Sequence, residues 1–374
     1  MKVLHINCNY IGTALHRLLI RRLRESGGEH LVFVPSDGRA AWKSFVPEAG
    51  EVVSECFKRF DRYIYFKKQA QIRRSAEKAY DISSFDCIHA YTLFTDGNCA
   101  MALSKKYGIP YVVAVRNTDV NGFFKRRRLL RRRGVRIMRS ASAVFFLSEG
   151  YREKTLTKYV PERFREEILR KSRIIPNGID SFWLENIAPL PDAEKLRRIR
   201  GGELKMLCVG RVTRWKDPTP ACRAVEELCR RGYRASLTVI GKVEIPEIVE
   251  ELKKSPVFTY LPPRPKEELI KVYREHDIFV LPSRDETFGL VYPEAMTQRL
   301  PVLYSKNEGF DGQFPDGEAG YAVDPFSAED IAEKLLLAVK NYEEIIERAP
   351  TLARRFDWTD IAKQYSTIYK SFLS

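Results

Sequence analysis

The chain is short of acid and lacks several familiar signatures. Against 64 Lys and Arg it carries only 49 Asp and Glu, for a net charge of +15. Seven cysteines (Cys8, Cys56, Cys87, Cys99, Cys208, Cys222, Cys229) are scattered with no Cys-x-x-Cys pair. That argues against a disulfide framework and for thiols in a reducing compartment. No Asp-x-Asp motif occurs, and no His/Cys cluster has metal-ligand spacing, so no metal is expected. No apolar run approaches the roughly 20 residues a membrane helix needs. Met1–Asn7 turns polar too soon for a signal peptide and reads as a first strand, which predicts a cytoplasmic chain.

What is present is an ordinary globular composition, 44% apolar over 374 residues, enough for two domains with their own cores. Strand-like and helix-like segments alternate throughout, which predicts an α/β fold of parallel sheets covered by helices. Strands are expected at Val3–Asn7, His30–Pro35, Cys87–Tyr91, Tyr111–Arg116, Ala143–Ser148 and Ser172–Ile175. After a polar stretch with Pro189, Pro191 and Gly201-Gly202, a linker signal, strands resume. They are expected at Leu204–Gly210, Ala235–Gly241, Val257–Leu261, Ile278–Leu281 and Pro301–Tyr304. Helices are expected at Thr95–Tyr107 and Phe124–Ser140, and a last one behind an Asp357 N-cap. Two Rossmann-like domains facing across a cleft follow, at 1–184 and 203–356, with 357–374 returning to the first.

The densest chemistry is in Asp285-Glu-Thr-Phe-Gly-Leu-Val-Tyr-Pro-Glu294. It follows a buried strand and opens a helix, the position where open α/β sheets bind ligands. Free amides at Phe288, Gly289 and Leu290 and the helix dipole would face an anion. Glu286 and Glu294, eight positions apart, would accept hydrogen bonds from hydroxyl-rich groups. An ordinary first-turn acid explains Glu294 about equally well if it is taken alone. A second patch, Gly210-Arg211 to Lys216, follows another strand and brings two cations to phosphate oxygens that gain charge as a diphosphate leaves. Among so many basic residues, a solvated loop is the plainer reading of that patch by itself. A third, weaker patch is Gly12, in a loop between a strand and a helix. Together they suggest a nucleotide-sugar site.

These patches resemble the family-4 retaining glycosyltransferases with the GT-B fold. The matching features are Gly210-Arg211 with Lys216, Pro176-Asn-Gly-Ile-Asp180, Glu286 and Glu294 around Phe288-Gly289, Glu294-Ala-Met296, Pro301-Val302 and Phe356-Asp-Trp358. The resemblance implies that the second domain holds a UDP- or GDP-linked sugar. Arg211 and Lys216 would bind its diphosphate, Glu294 the ribose and Glu286 the donor sugar. The first domain would hold the acceptor. Several positions depart from the family. Gln298, Arg299 and Leu300 precede Pro301, Gly241-Lys242 shortens a glycine-pair loop, and Lys306–Gly312 replaces a glycine-rich loop. Arg116, in Val115-Arg-Asn117-Thr-Asp119, stands where many relatives carry a histidine. Arginine cannot act as a base, only pair with an anion or donate hydrogen bonds. Arg116, Asn117, Asp119 and His89 are therefore acceptor-side candidates, though a lone histidine at a strand end is more often structural.

From Lys125 to Arg139 the chain has nine basic residues and no acid. Lys125, Arg126, Arg127, Arg128, Arg131, Arg132 and Arg133 interleave with apolar residues, and a second basic-aromatic stretch runs Arg62–Lys68. Such a helix reads as a peripheral membrane element. Half of these charges, at about 1 kcal/mol each near an anionic leaflet, give reversible docking; a merely solvated helix face is the bland alternative. The expectation is thus a metal-independent, retaining glycosyltransferase acting on a cell-surface glycan precursor, lipid-linked, at the inner membrane face. The rivals are a nucleotide-sugar epimerase of the same fold and a nonenzymatic basic protein binding nucleic acid, for which no base-reading module is present.

Overall fold

The structure is a computed structural model that describes residues 1–38 and 45–373, so Ser374 lies outside the described residues. It divides the chain into two compact units. One comprises Met1–Leu147, Arg152–Asn177 and Trp358–Ser374, the other Ser148–Tyr151 and Gly178–Asp357.

Unit 1 is built on seven parallel strands. They are β1 (Lys2–Ile6), β2 (Glu29–Ser36), β3 (Glu51–Glu55), β4 (Cys87–Ala90), β5 (Tyr111–Ala114), β6 (Ala143–Phe146) and β7 (Ser172–Ile174), in the order β3-β2-β1-β4-β5-β6-β7. Central strands such as β4 and β5 are buried at every position, as strands covered on both faces must be. The last helix, Trp358–Lys370, buries Trp358, Ile361, Ala362, Tyr365 and Tyr369 on one stripe. That stripe packs against the helix Ala14–Glu25 and joins the core formed by Val3, Val34 and Phe145.

Unit 2 has six parallel strands: β8 (Glu203–Val209), β9 (Arg234–Ile240), β10 (Phe258–Leu261), β11 (Ile278–Leu281), β12 (Val302–Ser305) and β13 (Gly320–Val323), ordered β10-β9-β8-β11-β12-β13. Asp277, fully buried just before β11, takes two hydrogen bonds from Arg198, at 2.9 and 2.6 Å, and one from the Lys205 amide at 2.8 Å. It ties the start of β11 to β8. The two strands absent from the sequence reading, β3 and β13, both lie at sheet edges. Partial solvation of β3 and the short Gly-Tyr-Ala-Val run of β13 deprive them of a long apolar signal.

The basic stretch expected as one helix over Phe124–Ser140 is broken. A π-helical turn spans Thr118–Phe124, a 3-10 turn Arg128–Leu130, and the α-helix only Arg131–Ser140. Like charges three and four residues apart repel along a continuous helix. Here Arg127 leaves the helical region (φ −110°, ψ 70°), its guanidinium 5.1 Å from the Phe123 ring centre. Arg131 donates to the freed Phe124 carbonyl at 2.6 Å.

Candidate functional site

In unit 2 the strand order reverses between β8 and β11, and the loops leaving these two strands meet. The β8 loop begins at Gly210, whose amide donates to the Ile240 carbonyl at 2.9 Å. It then turns on Thr213, whose hydroxyl accepts from the amides of Trp215 and Lys216. That turn brings the Lys216 ammonium within 2.7 Å of the Glu286 carboxylate on the β11 loop. Gly241 makes the approach of a third loop possible, because a Cβ there would lie 1.9 Å from the Gly210 oxygen.

Glu286 is buried and braced on several sides. Its amide donates to Glu308 at 3.0 Å, its carboxylate accepts from the Thr287 amide at 3.0 Å, and its carbonyl accepts from Gly309 at 3.0 Å. Downstream, Gly289 holds φ +79°, and a side chain there would strike the Tyr292 ring at 2.3 Å. Tyr292 is pinned by its hydroxyl to the Leu281 carbonyl at 2.8 Å. Among the described residues, the amides of Phe288, Gly289 and Leu290 donate to no partner within the chain.

Glu294 stands in the first turn of the helix Val291–Thr297. Burial, with the neighbouring Asp180 charge, pushes its carboxyl up to about 8, while the Tyr273 hydroxyl beside it opposes the rise. It is therefore largely protonated at neutral pH. Arg211 is not part of this cluster. It is 65% exposed and pairs with Glu244 at 2.7 Å. The structure thus brings Gly210, Lys216, Glu286 and the amides of 288–290 together, and leaves Arg211 on a rim. Glu308 and Tyr273 were missed by sequence reasoning. Glu308 belongs to a loop that departs from the family pattern, and Tyr273 reads in sequence as helix core.

In unit 1 the order reverses between β1 and β4. Gly12 lies in the loop after β1, its amide on the Asn9 carbonyl at 3.1 Å, just before the helix that Thr13 caps. Arg116 donates to Asn177 at 3.2 Å, and its Nε is buried without a hydrogen-bond partner. Asn117 accepts from Asn121 at 2.9 Å. Two acceptor-side candidates have structural positions instead. Asp119 is buried and accepts from the amides of Leu93, Phe94 and Arg116; burial pushes its carboxyl up to about 6. His89 is fully buried, stacked on Tyr91 at 4.2 Å and bonded to the Tyr369 hydroxyl at 2.6 Å. It cannot touch a ligand from there. Burial holds His89 well below its ordinary range, as it does His5 and His16. Among the described residues no group of three or more His, Cys, Asp or Glu could hold a metal ion.

Comparison with known proteins decides the lineage. The family described as Glycosyltransferase Family 4 matches residues 16–181, and Glycosyl transferases group 1 matches 192–352. The chain belongs to the family-4 glycosyltransferases. It is 33% identical over 217 residues to a D-inositol 3-phosphate glycosyltransferase of Corynebacterium jeikeium, covering 53% of this chain and 51% of that protein. A protein of the same name from Rhodococcus erythropolis is 33% identical over 210 residues, covering 50% and 48%. The chain thus spans about half the length of the curated relatives it matches. Among solved structures, sucrose-phosphate synthase from Thermosynechococcus elongatus aligns over 100% of this chain and 99% of its own, with TM-score 0.76 and 18% identity. HepE of Anabaena, in complex with UDP and glucose, aligns over 99% and 100%, with TM-score 0.67 and 19% identity. The fold is GT-B.

In this family-4 chain Arg299, one of the three residues before Pro301 that depart from the family, adopts φ +62°, a conformation glycine takes freely and other residues rarely do. Its guanidinium donates to the Ala188 carbonyl at 2.7 Å and the Ile346 carbonyl at 2.8 Å. Two charge-assisted hydrogen bonds offset the backbone strain. The Lys306–Gly312 loop likewise contributes Glu308 and Gly309, which brace Glu286.

Proposed function

We propose that this chain is a retaining glycosyltransferase that moves a sugar from a nucleotide diphosphate to an acceptor hydroxyl. The observation that carries the reading is the Lys216–Glu286 pair at the strand-order reversal of unit 2, beside the amides of 288–290. An incoming diphosphate takes over the Lys216 ammonium, with the amides completing its cradle and Arg211 adding charge from the rim. Glu286, released from Lys216, accepts hydroxyls of the donor sugar, and Glu294 accepts those of the ribose. In the transfer, the bond from the anomeric carbon to the diphosphate oxygen breaks. The acceptor oxygen bonds to that carbon from the same face, and the departing phosphate takes the acceptor proton. Preorganised cations favour that charge-separated state over the bound substrate.

The donor is UDP- or GDP-linked, and the UDP complexes of HepE favour uridine. The acceptor is a cell-surface glycan precursor on a lipid carrier, met by a peripheral protein at the cytoplasmic membrane face; the basic stretch around Lys125–Arg133 supports this. A second acceptor reading, a soluble phosphorylated polyol, is favoured by the name of the corynebacterial relatives and by the unpartnered Arg116 Nε.

The test is a panel of nucleotide-sugars screened by thermal shift, followed by turnover of the best donor with Lys216→Ala and with a chelator. Lys216→Ala should lower turnover about 100-fold or more while far-UV circular dichroism stays native, and the chelator should change nothing. Near-normal turnover in Lys216→Ala sinks the site assignment. Sugar rearrangement in donor incubated alone favours an epimerase.

A further inference from the structure

Unit 1 carries an apolar patch that its core leaves outside. Phe60 is 79% exposed, Tyr63 74%, Ile64 56% and Phe66 64%, all within one turn and the start of the helix Tyr65–Ala79. The chain is held that way locally. Asp61 accepts from the Lys58 amide at 2.8 Å and closes the 3-10 turn Arg59–Tyr63. Tyr65 alone turns inward, its hydroxyl on the Phe94 carbonyl at 2.7 Å. Its ring also meets Phe123, at 6.3 Å between centres, so the patch adjoins the broken basic segment. There Leu129 is 97% exposed, at the tip of its 3-10 turn. Lys58, Arg59, Lys125, Arg126 and Arg128 are exposed around these side chains, and the one acid among residues 58–68, Asp61, is neutralised by Lys67 at 2.8 Å.

Clustered exposed aromatics in a basic surround mark an interaction surface. Its charge matches an anionic leaflet, and amphipathic aromatics with basic neighbours suit the bilayer interface. We propose that Phe60, Tyr63, Ile64 and Phe66, with Leu129, insert into an anionic bilayer while the surrounding cations meet its phosphates. This rests on the membrane-face reading above and deepens it: binding has an inserted apolar part and is not charge alone.

The experiment is co-sedimentation with phosphatidylcholine vesicles with and without 30% phosphatidylglycerol, for the wild type and for Phe60→Ser/Phe66→Ser. Both side chains are exposed, so the melting temperature and the thermal shift given by the donor should be unchanged. The wild type should bind the anionic vesicles and keep part of that binding in high salt, where exposed charges are screened. The double variant should bind at least tenfold more weakly and lose the rest in high salt. Equal binding by both proteins, abolished alike by salt, overturns insertion and leaves electrostatic docking. No vesicle binding by the wild type removes the membrane face from the proposed function, whereas donor turnover is scored separately. A concentration-dependent dimer that the double variant abolishes, without vesicle binding, assigns the patch to a second copy and also overturns the proposal.

Discussion

The residue whose chemistry depends most on its surroundings is Glu294. A carboxyl of ordinary value 4.5, pushed up to about 8 by burial, keeps a proton that the unfolded chain gives up. The contribution of Glu294 to the stability of unit 2 should therefore fall as pH rises from about 5 to 8, while buried His276, held below its ordinary range, acts in the opposite sense below about 6.5, and Glu294→Gln should remove the falling part. Ribose hydroxyls donate best to the ionised form, so nucleotide binding should expel the proton and tighten with rising pH. Calorimetry in buffers of different ionisation enthalpy reads this directly. A binding event near pH 7 that releases no proton, in wild type as in Glu294→Gln, removes the ribose role.

At the scale of elements, short loops depend on a few anchors. Asp277 joins β11 to β8 and to the helix Ala193–Arg200 through buried charge-assisted bonds. Asp277→Ala leaves Arg198 and the Lys205 amide without their acceptor, and should cost about 3–5 kcal/mol of unit 2 stability in denaturant unfolding. Gly289→Ala acts on a different element. Its side chain would meet the Tyr292 ring at a positive φ, so the 286–290 loop must shift. Donor binding should weaken at least tenfold while far-UV circular dichroism stays native. Unchanged affinity would show that the loop geometry is dispensable.

For the molecule as a whole, pH acts unequally on the two units. Four histidines, His5, His16, His30 and His89, are buried in unit 1 and held below their ordinary range by desolvation. The unfolded chain binds protons there that the folded unit refuses, so stability is lost as pH falls below about 6.5. Asp96 and Asp119, pushed up to about 7 and about 6 by burial, act in the opposite sense between about 4 and 7. With four groups against two, unit 1 should gain stability from pH 4.5 to 6 and level off above. A melting profile across that range, with His30→Asn reducing the slope, checks the sign.

Alternation of apolar and helical segments was enough to read parallel sheets, and among the described residues eleven of the thirteen strands are where apolar runs stand in the sequence. The positions of Gly210, Lys216 and Glu286 in loops that leave β8 and β11, and of Glu294 in the helix behind, were legible too; their part in binding a ligand belongs to the proposal. Partners were not legible. Only the folded chain pairs Lys216 with Glu286, turns Arg211 to Glu244, seals His89 beneath Tyr369 and breaks the arginine helix. Periodicity along a chain reports which side chains need burial. Which of two nearby charges meets a given carboxylate depends on crossings between residues tens to hundreds of positions apart, and that information exists only once the sheet is closed around them.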